Sequence, residues 1–176
     1  GLGANPIEFI TRSTGTWTLV GLMVTLSITP LRRLTGRTDL VRFRRMLGLF
    51  TFFYACLNFV TYIWMDQFFD PAAIARDIVK RPFITVGFSA FVLLIPLAAT
   101  STHAMMRRLG RRWQQLHRLV YPIALLGVTH FLWLVKKDLT EPLIFAAVLA
   151  LLLALRLPWG MSVLHSARGR FVSARP

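Results

Sequence analysis

Five apolar stretches, at residues 15–31, 46–65, 83–101, 113–135 and 143–159, govern what this 176-residue chain can become. Each has about the 17–25 residues that a helix needs to cross a bilayer core roughly 30 Å thick. A backbone in lipid must satisfy its own hydrogen bonds, and a helix does so within itself. Composition agrees: 55% of residues are hydrophobic, only 16% are charged, and mean hydropathy is +0.57. A soluble domain carries about 25% charged residues. The chain therefore reads as an all-α integral membrane helical bundle with five spans, occupying residues 1–160, followed by a basic tail at 161–176.

The net charge of +14 is distributed by topology. Residues 31–45, 102–118 and the tail from Arg156 hold six, five and four arginines, with Asp39 their only acidic residue. Residues 1–14, 66–82 and 136–142 hold six basic and six acidic residues. The two sets alternate along the chain, as the connections of a five-span protein must. Basic loops stay cytoplasmic, which puts the N-terminus outside and the C-terminus inside. Anionic lipid headgroups account for the remaining charge better than nucleic acid does. The chain opens at Gly1 rather than Met, and an external start with no preceding span is unusual, so an upstream helix is expected.

Between the spans, residues 1–14 read as a polar external lead-in and the first helix as running from Gly15 to about Pro30. Residues 66–82 form the longest external loop, with a short amphipathic helix at 72–80 suited to the membrane surface. Tyr62 and Trp64 suit an interfacial anchor. The segment 102–112 reads as a short basic internal loop. Pro96 is expected to kink the third span. The lone Cys56 reads as a small buried apolar residue.

Chemistry concentrates in the fourth span, which carries His117 and His130. Ionisable side chains within a span are costly and mark functional pathways, and imidazole is a common ligand for metals and haem iron. On an α-helix the two lie roughly 20 Å apart, one toward each membrane face, but about 140° apart around the axis. Pro122 cannot donate to the Arg118 carbonyl, so a distortion between them is available. His103 and His165 are weaker candidates, one in the basic loop and one in the tail.

The run ATSTHAMMRRLGRRWQQLHRLVYP followed by His130 resembles the haem-binding membrane subunits of periplasmic protein-methionine-sulfoxide reductase systems, a ferric-reductase-like transmembrane family. SITPLRR, RFRRMLGL and VKRPFITVG support the resemblance, and Trp113, Tyr121 and Arg81 match the family as well. The family has six spans. The resemblance implies haem b held between helices in a bacterial inner membrane, with FMN as a second cofactor. It implies electrons drawn from the quinone pool or a reduced flavin, passed to a periplasmic molybdenum-containing reductase that repairs oxidised methionines. His117 and His130 carry over as haem ligands. Arg44 and Arg45, at the level of His117, could pair with haem propionates or a flavin phosphate; the positive-inside signal accounts for them equally.

One position departs from the family. Where relatives place a histidine on the second span of this chain, the sequence ACLNFVTY has Asn58, and an amide is a poor ligand for haem iron. Three arrangements fit: a five-coordinate haem on His130 with Asn58 across an open site, a sixth ligand from elsewhere, or a disabled site. Met65, seven residues on and about two turns along the same face, is one such ligand. With no dinucleotide fingerprint or phosphate loop, the chain reads as an electron-transfer subunit rather than a self-contained enzyme. The rival reading is a haem-free membrane anchor that docks a soluble partner. A transporter fits less well, because no acidic residue lies well inside a span and no inverted repeat is found.

Overall fold

The computed structural model describes residues 6–66, 68–135 and 138–157, and among them every regular element is helical. The order is α1 (Pro6–Thr35), α2 (Leu40–Thr61) ending in a π-helical turn (Tyr62–Asp66), α3 (Pro71–Lys80), α4 (Pro82–Ala99), α5 (His103–Leu109), α6 (Arg111–Leu116), a 3-10 turn (His117–Leu119), α7 (Val120–Leu134) and α8 (Thr140–Ala154). Three helical stretches are long and apolar enough to cross a membrane: Glu8–Thr35, Arg42–Met65 and Pro82–Ala99. α7 and α8 have 15 residues each, and α7 continues the helical path begun by α6 and the 3-10 turn. The basic tail 161–176, with His165, lies outside the described residues.

α1 packs along α2 and α4 along α7, while α8 closes the bundle against α1 and α7. Leu22, Leu26, Ile123, Ala124 and Leu149 form the centre of the core. Cross-links at the mixed-charge end fix the directions. Asn58 near the end of α2 reaches Thr11 near the start of α1, His130 near the end of α7 reaches Phe83 at the start of α4, and Arg12 of α1 pairs with Glu141 of α8 at 3.2 Å. The helices thus alternate in direction, and the arginine-rich and mixed-charge connections fall at opposite ends, as the charge pattern requires.

Close approach of α1 and α2 depends on Gly21. A Cβ there would run into the Thr51 hydroxyl and lie 3.2 Å from its Cβ and 3.4 Å from its Cα. Thr51 is buried and its hydroxyl donates to the Leu47 carbonyl, so it has little room to yield. Gly21→Ala should therefore destabilise the bundle by about 1–3 kcal/mol, outweighing the gain of about 0.5–1 kcal/mol in helix propensity. Thermal unfolding in detergent, beside Gly48→Ala whose Cβ meets nothing within 4 Å, measures this. Equal melting temperatures for the two variants would refute it.

Several boundaries differ from the sequence reading. The helix of α1 starts at Pro6, not Gly15, and runs through Pro30 to Thr35. Its polar first turns are helical, and Thr14 and Thr18 satisfy their hydroxyls within the helix on the Ile10 and Thr14 carbonyls at 2.9 Å. The break expected at Pro30 is averted because Arg156 fills the hydrogen-bond vacancy it leaves. A proline at 30 frees the Leu26 carbonyl, and Arg156 Nη2 donates to that oxygen at 2.7 Å. The segment 102–112 is two short helices rather than a loop. Thr102 caps the first by accepting from Met105 N, and Gly110 turns the chain at φ +50°. The amphipathic helix at the mixed-charge end is present as Pro71–Lys80, capped by Asp70 and with no buried residue.

Candidate functional site

The fourth apolar stretch is not one α-helix. At His117–Leu119 it tightens into a 3-10 turn that contains Arg118, the residue whose carbonyl Pro122 cannot serve as a donor. With three residues per turn there and 3.6 beyond, the angle between His117 and His130 falls from about 140° to roughly 80°. On ideal geometry, the tighter turn reduces the angular separation of positions 117 and 130 around the helix.

His130 sits at the mixed-charge end, half-enclosed between α7 and α4. Its Nδ1–H donates to the Phe83 carbonyl at 2.6 Å, which leaves Nε2 as the nitrogen not engaged in that bond. Gly87 makes this seat possible: a Cβ there would stand 2.7 Å from Nδ1 and 2.8 Å from Cε1. His130 lines a partly open cavity of about 360 Å³ between α1, α2, α3, α4 and α7. Its walls are mostly apolar, including Leu19, Ala55, Phe59 and Phe91, the last two stacked at 4.5 Å. Arg12 and Arg81 also line it, and each keeps an acidic neighbour, Glu141 and Asp77.

Asn58 lines the same cavity, but its amide is directed at α1. Nδ2 donates to the Thr11 carbonyl at 2.7 Å and to Thr14 Oγ1 at 3.3 Å, and Gly15 leaves the space for it. Because a carbonyl accepts, this contact fixes which way the amide points. Met65 is not among the cavity residues. It falls in the π-helical turn, where one extra residue per turn rotates it away from the face that a regular α-helix would share with Asn58.

His117 occupies the arginine-rich end. It stacks on Trp113 with ring centroids 3.9 Å apart, and its Nδ1–H donates to the Trp113 carbonyl at 3.1 Å. Its Nε2 is buried and makes no hydrogen bond. Trp113 is itself held by donation from Nε1 to the Thr100 carbonyl at 2.9 Å. Arg44 lies within electrostatic reach of both His117 and Arg156, and Arg33 within reach of Arg156. Arg33 Nη1 and Arg156 Nε are buried without partners. The acidic residue of this end, Asp39, is taken by Arg37 at 3.3 Å, a bond that holds its carboxyl below the ordinary value. The cluster is therefore cationic and uncompensated among the described residues. Arg45 is exposed, as is His103 at the start of α5.

Each histidine accordingly has one nitrogen tied to a main-chain carbonyl and the other left over. A metal-ligating histidine is held in the same way: the second nitrogen fixes tautomer and ring orientation, and the bond raises ligand basicity. Sequence reasoning found both histidines, Asn58 and Arg44, but not Gly87, Phe83, Arg33 or Arg156. Gly87 left a faint signal as an isolated glycine inside a helical pattern, which commonly has a packing reason.

Comparison with known proteins places this geometry. A family profile described as the ferric reductase like transmembrane component matches residues 12–128, which defines the class of membrane protein to which these helices belong. Protein-methionine-sulfoxide reductase heme-binding subunit MsrQ of Herminiimonas arsenicoxydans is 63% identical over 161 residues, covering 90% of this chain and 74% of that protein. MsrQ of Ralstonia nicotianae is 63% identical over 160 residues, covering 89% and 74%. MsrQ of Rhodospirillum rubrum is 60% identical over 157 residues, covering 89% and 76%. The chain belongs to the MsrQ family within the ferric-reductase-like membrane proteins. No solved structure matches it.

Proposed function

We propose that this chain binds haem b at two levels, on His130 toward the periplasm and on His117 toward the cytoplasm. In this reading it passes electrons across a bacterial inner membrane from the quinone pool or a reduced flavin. The acceptor is a periplasmic molybdenum-containing methionine-sulfoxide reductase. The carrying observation is the pair of histidines whose Nδ1–H groups are spent on the Phe83 and Trp113 carbonyls, with Nε2 left to ligate. The orientation rests on the arginine-rich connections at the His117 end.

Haem b supplies a one-electron couple, and the residues here supply its seat and surroundings. Hydrogen bonding to main-chain carbonyls orients each imidazole and makes it a better ligand. The mostly apolar walls around His130 lower the polarity of the site, and burial is one of the levers that sets a haem potential. At the His117 end, Arg33, Arg44 and Arg156 offer unused donors to anionic groups, haem propionates or the phosphate of FMN.

Reduction with dithionite should give a b-type absorption spectrum. His130→Ala and His117→Ala should each remove part of it, and the double variant nearly all. Protein that binds no haem, as isolated or after reconstitution, would overturn the proposal in favour of an anchor whose histidines merely pack.

A further inference from the structure

Among the described residues, the cavity that His130 lines holds a single imidazole. On the α1–α2 side its polar side chains are Thr11, Arg12, Thr16, Thr18, Asn58 and Tyr62. Hydroxyls, amides, guanidinium groups and protonated phenols are weak ligands for haem iron beside histidine, methionine or thiolate. Cys56 and Met65 do not line the cavity. Asn58 is further committed, because both of its amide contacts run to α1. Swinging it inward would leave the Thr11–Thr14 turn and the amide itself without those bonds.

We propose that haem seated on His130 in this chain keeps one axial position open on the Asn58 side, and that this position takes a small neutral diatomic ligand. The proposal rests on the haem reading above and extends it. A pocket that is largely apolar and, among the described residues, offers no strong second protein ligand favours diatomic binding over simple bis-ligated electron transfer. The site would then respond to gas ligands that a six-coordinate haem excludes.

The test uses full-length holoprotein in detergent. Haem content per protein is measured first, after which the ferric spin state is read by electron paramagnetic resonance and the dithionite-reduced protein is exposed to carbon monoxide. A high-spin ferric component and a carbon-monoxide shift in the reduced spectrum are expected. The shift should be lost in Asn58→His with haem content retained, and lost in His130→Ala together with the haem of that site. Absence of haem would defeat the haem reading itself. Normal haem content with an entirely low-spin, carbon-monoxide-silent spectrum would overturn the open position alone, whatever residue supplies the sixth ligand. A carbon-monoxide shift that survives His130→Ala would assign the open iron to the other end and overturn it too. If Asn58→His fails to fold, the wild-type and His130→Ala spectra still decide.

Discussion

Alanine at position 87 is expected to strip haem from the His130 site while the bundle stays folded. The added Cβ would stand 2.7 Å from Nδ1, 2.8 Å from Cε1 and 3.1 Å from Cγ of the imidazole. The ring cannot retreat without cost, because Nδ1 is held at 2.6 Å by the Phe83 carbonyl. Relief requires either losing that hydrogen bond or parting α4 from α7. Loss of such an outer-shell contact commonly lowers affinity by about 10–100-fold, and overpacking costs about 1–3 kcal/mol of stability. Haem per protein and the reduced absorption spectrum give the readout, with Gly48→Ala as a control of equal chemistry in open space. Wild-type haem content in Gly87→Ala would mean that His130 is not held as described.

This dependence marks where the sequence is legible. Apolar block length foretold the helices, and alternation of arginine-rich with mixed-charge connections foretold which ends lie together. Pro122 foretold the distortion beside His117, since a missing donor is a local fact. Gly87 and His130, by contrast, are 43 residues apart. Nothing in the periodicity of either helix says that α4 will choose α7 as its neighbour. The same holds for Asn58, whose identity marked a departure from the resemblance. Its bond to Thr11 follows only from the antiparallel pairing of α1 with α2 and from helix continuing ahead of Gly15. Residues 102–112 were misread because their basic composition was given more weight than the cap at Thr102 and the glycine at 110.

Arg156→Ala is expected to be among the most destabilising single changes at the arginine-rich end. Pro30 and Arg156 lie 126 residues apart yet form one device. The proline withholds a donor from the Leu26 carbonyl, and the guanidinium returns one at 2.7 Å. Leu26 is 1% exposed, so water cannot easily substitute. The same guanidinium donates through Nη1 to the Tyr121 hydroxyl and lies 5.0 Å from the centre of its ring. It thereby ties α8 to both α1 and α7. An orphaned buried carbonyl costs about 1–3 kcal/mol, and the contact with the ring adds about 0.5–2 kcal/mol. A total loss of about 1.5–5 kcal/mol follows. Lysine should recover less than half, because one ammonium cannot serve oxygen, hydroxyl and ring face in the fixed fork that arginine provides. Pro30→Ala supplies the decisive comparison, since it restores the helical donor to Leu26. In that background Arg156→Ala should cost measurably less than it does alone, and thermal unfolding of the four proteins as a double-mutant cycle reads the difference. Strict additivity would show that the two residues act independently and that Pro30 is accommodated in some other way.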